Sequence, residues 1–370
     1  MKIIFIGHFS NSKAAQPGAS AAGDAVQQKI VRTLKQDSAI DLLSISQPPA
    51  RSWPKGRLFF SNSQDSYALF PCLINVAFLR DVWFGLVCMK YIIKNKPHKV
   101  LQYNSYLFVN IFVIFASAIV GAKAIIIIQD YRVGSGFKVL AKVHDRIAGF
   151  FVRFYDFAIP VTEALAKKLK IKSDRLLVFP GAMEHDAPLI NQDKVSSNKD
   201  AEITVLYAGA LEKHNGLDRL LSSWEKVPEN VKLFIYGRGS LGEEVLRAAQ
   251  KLNNIQYLGF SSKDEIHRHM LKSDFNVCLR FSNGLDERFF FPSKFFSINC
   301  YPGFSLVNDF YGLPDGYRDA GLIVNDDFSN ILEILQCDKK YLRLTTAERQ
   351  GYLYENYVWS KLLGGVVVNG

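Results

Sequence analysis

Cysteine is scarce in this 370-residue chain. The five present, Cys72, Cys88, Cys278, Cys300 and Cys337, show no paired or ligand-like spacing, which excludes a disulfide framework and a zinc site and fits a reducing cytosol. No signal-peptide core is expected either, because Met1-Lys2 leads into only four apolar residues, Ile3–Ile6, before Gly7-His8, and this reads as a first strand. One run, Tyr106–Ile128, is long enough to weigh as a membrane span. Gly121-Ala122-Lys123 breaks it where a helix-to-strand turn should fall and Ile125–Ile128 is β-branched, so a buried helix followed by a central strand is expected instead. Nucleic acid is not an expected partner, since no recognition motif or zinc-finger spacing is present.

What is present is a globular composition, 48% apolar and 22% charged with 28 Phe, in a chain long enough for two cores. The net charge of +10 is polarised: residues 1–180 hold 24 Lys/Arg against 10 Asp/Glu, and residues 181–370 hold 21 against 25. A basic front half points to an anionic counterpart, either a lipid surface or a phosphorylated substrate.

Strand-like and helix-like runs alternate in the front half: Lys2–Ile6, Ala25–Gln36, Ile40–Ser44, Val82–Lys94, Lys99–Gln102, Leu107–Val120, Ala124–Ile128 and Phe157–Pro160, with Thr162-Glu163 capping a helix over Ala164–Leu169. After a polar stretch, Asn191–Asp200, the alternation restarts at Ile203–Tyr207 and continues to Phe304–Val307 and a helical region from Thr346. This predicts an α/β protein of two Rossmann-like domains, 1–180 and 181–345, with 346–370 as a closing helix, and parallel sheets that face a central cleft.

Glycines punctuate the strand ends. Gly18 and Gly23 bracket a small-residue loop before the first helix, suited to a phosphate or sugar or simply a flexible loop. Tyr207–Gly216 contains Gly209, Lys213 and Asn215, while Gly237-Arg238-Gly239 and Gly259-Phe260 end the next two strands. Further on, Gly284–Ser297 gathers Asp286, Glu287 and Arg288 ahead of Pro292-Ser293-Lys294, where a helix start and a lysine can converge on a diphosphate.

In their order and spacing these motifs, with Pro180-Gly181-Ala182, Asp274, Phe291-Pro292-Ser293-Lys294 and Tyr357-Val358-Trp359-Ser360, resemble the GT-B glycosyltransferases, specifically the large retaining family numbered four. The resemblance runs through nearly the whole chain and implies sugar transfer from a nucleotide diphosphate to an acceptor, with retention and with no metal or other cofactor, the first domain taking the acceptor and the second the donor. The chain has no Asp-x-Asp pair of the kind that metal-dependent sugar transferases use. It departs from the family where diphosphate-contacting Arg and Lys often stand, here Ala210 and Asn215, and where two Glu are favoured, here Phe289 and Ser297.

The resulting candidates are Lys294 for leaving-group charge, Glu287 for the sugar hydroxyls or the donor ring, and Asp130, ending a central strand, as acceptor-positioning group or general base. Gly18, Gly23, Gly209, Lys213, Asn215, Gly237, Gly239, Phe260, Arg280, Arg288, Pro292, Ser293 and Ser297 are expected to line the substrates. Basic and large apolar residues interleave at helical spacing over Gly136–Tyr155, which suits either a helix on an anionic bilayer or a buried helix with solvated edges. The expected role is bacterial surface-polysaccharide or lipid-linked glycan assembly at the inner face of the cell membrane, with a nucleotide sugar, a glycan or lipid-linked acceptor and an anionic membrane surface as partners. The alternatives are a non-catalytic GT-B subunit, a sugar-nucleotide epimerase or a phosphorylase; a dinucleotide oxidoreductase fits least, since the first strand lacks the glycine pattern.

Overall fold

In a computed structural model, residues 1–11, 21–131, 139–189, 202–282 and 286–364 are described. The chain divides into two compact units: residues 1–180 with 288–290 and 359–370, and residues 181–287 with 291–358.

The first unit is built on β1 (Lys2–Gly7), α1 (Ala21–Gln36), β2 (Asp41–Ser46), the short strands β3 (Phe59–Phe60), β4 (Ser63–Gln64), β5 (Leu69–Phe70) and β6 (Leu73–Ile74), then α2 (Leu79–Asn95), β7 (Lys99–Tyr103), α3 (Leu107–Val120), β8 (Lys123–Ile128), α4 (Val139–Phe151), β9 (Phe157–Pro160) and α5 (Glu163–Leu169). Its sheet runs β4-β5-β2-β1-β7-β8-β9, parallel except at the β4 edge, while β3 and β6 form a separate ribbon. Central strands of such sheets are covered on both faces and must be apolar throughout. Ile3–Ile6 and Ala124–Ile128 are accordingly buried end to end.

The long apolar run resolves as the sequence predicts. Its helix α3 stops at Gly121, whose φ of 70° is left-handed and whose N–H caps the Ser117 carbonyl, and strand β8 follows. Among the described residues no helix is long and apolar enough to cross a membrane. Thr162 caps α5 by accepting the Leu165 N–H.

The second unit contains β10 (Ile203–Ala208), α6 (Leu217–Trp224), β11 (Val231–Tyr236), α7 (Gly242–Lys251), β12 (Ile255–Gly259), α8 (Lys263–Lys272), β13 (Phe275–Cys278), α9 (Lys294–Ile298), β14 (Phe304–Val307), α10 (Asp315–Asp319), α11 (Ile331–Leu335) and α12 (Lys339–Asn356). Its five parallel strands run β12-β11-β10-β13-β14. Trp224, Val205, Leu233 and Phe275 fill one face, each such side chain contributing about 1.5–3 kcal/mol by leaving water. Phe295, Phe296, Ile298 and Tyr317 fill the other.

Two boundaries differ from expectation. Thr346 lies inside α12, because Lys339–Asn356 forms one helix capped by the Asp338 carboxylate, and only the chain from Trp359, with α13 (Trp359–Leu362), groups with the first unit. The first helix begins at Ala21 rather than near Ala25, which puts Gly23 within it.

Candidate functional site

Strand order in the second sheet reverses between β10 and β13, the kind of switch point where ligands enter open α/β sheets. Lys294 is delivered to that point. It opens the short helix α9, which is pinned by aromatic packing: Phe295 meets Phe296, Phe310 and Tyr317 with ring centroids 5.2, 5.9 and 4.8 Å apart. The Lys294 ammonium lies 4.3 Å from the centroid of the Tyr207 ring, and a Cβ on Gly209 would be 3.6 Å from it.

Among the described residues no hydrogen bond or ion pair reaches the Lys294 ammonium. Burial pushes its pKa down to about 8, opposed by the nearby Cys278 sulfur; burial in turn pushes the Cys278 thiol up to about 11. A partly buried cation without a carboxylate is incompletely compensated, and an arriving anion removes that deficit.

The loops around it are fixed by backbone contacts. The Tyr207 hydroxyl and the Asn215 amide both donate to the Ala210 carbonyl, at 2.7 and 2.9 Å. Gly237, at φ 142°, has no room for a side chain, since a Cβ there would lie 1.8 Å from the Gly209 carbonyl oxygen. A Cβ on Gly239 would meet the Leu211 carbonyl at 2.4 Å. These glycines let the β10 and β11 loops touch; Asn215 likewise serves the loop. Lys213 begins the 3₁₀ turn Lys213–Asn215 and is exposed. Glu212 accepts from the Ser240 N–H and hydroxyl, bonds that hold its carboxyl below the usual range.

Arg280 follows β13, where Asn308 anchors its backbone in both directions at 2.8 Å. Burial lowers its pKa, against the pull of the Cys278 sulfur and the Glu287 carboxylate. Phe260, after β12, is 72% exposed and carries the Arg238 guanidinium 4.7 Å from its ring centroid. Such a solvent-facing stacked pair at a strand's carboxyl end is a ready platform for a planar ring.

The stretch read as one site in the sequence is divided by the structure. Glu287 and Phe291–Ser297 belong to the second unit, whereas Arg288–Phe290 belong to the first. There the Arg288 carbonyl accepts from the Thr162 hydroxyl at 2.5 Å, and the buried Phe289 ring lies against Tyr131 and Lys168, 6.4 and 5.8 Å away. The helix begins at Lys294, with Ser293 as an exposed cap residue that makes no side-chain capping bond. The Phe295 N–H is taken by the Pro292 carbonyl, so it is not available for a phosphate as expected. Ser297 is partly buried, and its carbonyl accepts the Cys300 N–H.

In the first unit the reversal falls between β1 and β7. His8, just past β1, stacks on Tyr106 at 4.3 Å, and Gln27 brackets its backbone by accepting the His8 N–H and donating to its carbonyl. Asn104, just past β7, holds a left-handed φ of 59°. Its side-chain oxygen accepts the N–H groups of Gln129 and Asp130, and its amide donates to the Asp130 carboxylate at 3.4 Å. Asp130 is exposed and its orientation is thus tied to Asn104, a residue the sequence reading passed over. Burial first and the Asp130 charge second push the Tyr103 phenol up. Gly18 lies outside the described residues, and the Gly23 carbonyl accepts from the Gln27 amide within α1. The described residues hold no cluster of three or more His, Cys, Asp or Glu able to bind a metal ion.

Residues 190–289 match the family model described as glycosyl transferases group 1. No curated protein matches the chain in sequence. Among solved structures, the chain is similar to the lipopolysaccharide outer core galactosyltransferase WaaB, at 14% identity and TM-score 0.65 with 100% of each chain covered. It is also similar to the sucrose-phosphate synthase of Thermosynechococcus elongatus, at 12% identity and TM-score 0.68 with 100% of this chain and 99% of that one covered. Anabaena HepE in complex with UDP gives 10% identity and TM-score 0.64 over the whole of both chains. The fold of this chain is thus that of the GT-B glycosyltransferases, and residues 190–289 carry the match to their group 1 model.

Proposed function

We propose that the second unit binds a nucleotide-diphosphate sugar and that its sugar passes, with retention and without a metal ion, to a glycan or lipid-linked acceptor in bacterial surface-polysaccharide assembly on the cytoplasmic face of the membrane. The observation that carries the donor half is the uncompensated Lys294 ammonium at the β10/β13 switch point, beside the bare backbone of Gly209. The complexes of HepE with UDP and with UDP-glucose, and the galactosyltransferase WaaB, support a nucleotide sugar as donor and a surface glycan as product.

In this reading the bond from the anomeric carbon to the diphosphate oxygen breaks as an acceptor oxygen bonds to that carbon. The diphosphate leaves with the bonding electrons, and Lys294, supported by Arg280, stabilises the charge. Glu287 faces the developing positive charge on the sugar ring. Asp130, oriented by Asn104, positions the acceptor hydroxyl or takes its proton. The Phe260–Arg238 pair stacks on the base.

A second reading, a non-catalytic subunit, draws on Ser297 in place of a carboxylate and on Asn215 being occupied by the Ala210 carbonyl. Isothermal titration of the full chain with UDP, GDP and dTDP decides between them. Selective binding of one, lost in Lys294→Ala, is expected; no binding of any nucleotide by folded protein overturns the donor reading.

A further inference from the structure

Apart from Trp53, Phe59 and Phe78, the exposed large apolar side chains of the first unit follow a pattern. On α2, Leu79, Trp83, Leu86 and Ile93 recur at helical spacing along one stripe, which Lys90 and Lys94 share. On α3 the exposed face carries Phe115 and Ile119. On α4 and the turn after it, Val143, Ile147, Phe150 and Phe154 form a third stripe, interleaved with Arg146 and Arg153. Helix α2 packs on α3 and α3 on α4. The Phe78 and Phe108 rings both meet His144, at 5.9 and 6.2 Å, so the three helices form one layer.

Single exposed apolar residues are ordinary, but aromatic and aliphatic stripes on three adjoining helices are not. Helix α3 has no charged residue in its 14 positions, although part of it faces solvent. The exposed charged residues of α2 and of the described part of α4, with the turn after it, are Lys90, Lys94, Arg146 and Arg153, all cationic. The acids Asp81 and Asp145 are less exposed and lie 3.5 Å from Arg80 and His144. The Arg153 guanidinium is held 5.3 Å from the Phe150 ring centroid, apolar body and charge side by side.

We propose that the α2–α3–α4 face docks on the surface of an anionic phospholipid bilayer. Trp83, Phe115, Ile119, Ile147, Phe150 and Phe154 enter the boundary between headgroups and acyl chains, while the lysines and arginines meet the headgroup phosphates. Among the described residues no helix is long and apolar enough to cross a membrane, and the proposed contact is with the bilayer surface. The occupant is a lipid surface rather than a second copy, because a second copy would set like charges against each other. Surface and donor site share no residue, so either can fail alone.

The test is co-sedimentation of the full chain with phosphatidylcholine vesicles, with and without about one-third phosphatidylglycerol, at low and high salt. Binding to the anionic vesicles at least about tenfold tighter at low salt is expected, with a residual part that survives high salt. Trp83→Ser with Phe115→Ser and Phe150→Ser should remove the salt-resistant part, and Lys90→Glu with Arg146→Glu the preference for phosphatidylglycerol. Circular dichroism confirms that each variant folds, and UDP titration reads the other unit separately. Absence of vesicle binding by folded wild type overturns the proposal, as does a micromolar dimer that the triple Ser variant dissolves.

Discussion

Raising the pH from 7 to 9 should weaken nucleoside-diphosphate binding by titrating Lys294. In the ligand-free protein its pKa is lowered to about 8, so it is largely charged at pH 7 and largely neutral at pH 9. The charged fraction falls about tenfold across that interval, and affinity follows if the ammonium is the diphosphate's partner. Lys294→Arg, which keeps its charge, should flatten the profile, and Lys294→Met should flatten it at a lower affinity. Losing one charge-assisted bond costs about 1.5–3 kcal/mol, or roughly 10- to 150-fold. Stability moves the other way. The folded protein releases this proton before the unfolded chain does, so the Lys294 contribution makes the fold more stable as pH rises from about 8 toward 10.5. Lys294→Met should therefore raise the melting temperature at pH 7 while weakening UDP binding. Isothermal titration with UDP at pH 7, 8 and 9, paired with thermal melts, reads both effects. Wild-type affinity unchanged between pH 7 and 9, or a Met variant less stable than wild type, would refute the reasoning.

Other consequences are sharper for being local. Gly237→Ala forces a Cβ onto the Gly209 carbonyl at a φ of 142°, so urea denaturation should show a loss of about 2 kcal/mol or more, with UDP binding reduced because Gly209 is displaced. Phe260→Ala leaves an exposed site and should change stability by less than about 0.5 kcal/mol, but remove about 1–3 kcal/mol from nucleotide binding by titration if the ring stacks on the base. Asn104→Gly keeps the left-handed backbone while deleting the bonds to Gln129 and Asp130. It should lower turnover about as far as Asp130→Asn does, and the double variant should lose no more, whereas UDP affinity stays put.

The long strands and helices were legible because their cause is local, whereas the short strands β3–β6 and the one-turn helices α10 and α11 were not. A β-branched, charge-free block such as Ile125–Ile128 can only be a strand covered on both faces, and Gly121 marks the break before it. The division of residues 284–297 was not legible, because it depends on where Phe289 is buried, and Tyr131 and Lys168 stand far from it in sequence. Asn104 escaped for the same reason, its role arising from a β7–β8 pairing that ends at Tyr103 and Ile127 and brings its side chain to the Gln129 and Asp130 N–H groups. Its one local sign is weak: Asn is among the few residues that accept a left-handed backbone at a strand end.

The glycines carry a different lesson. Gly237 and Gly239 are read in the sequence as room for a ligand, yet the room they make is filled by the Gly209 and Leu211 carbonyls. What reaches the switch point instead is a side chain, Lys294, whose partner among the described residues is an aromatic face and not a carboxylate. A ring face offsets only part of an ammonium's lost hydration, about 0.5–2 kcal/mol, which is why the pKa falls although the ring attracts the charge. That deficit distinguishes a binding site from a solvated surface lysine. A surface lysine gains little from an anion, while one already stripped of water returns most of the Coulomb energy to whatever negative group arrives. Ser297 stands where the family resemblance leads to a carboxylate, and among the described residues no acid pairs with Lys294 to compete with an arriving anion.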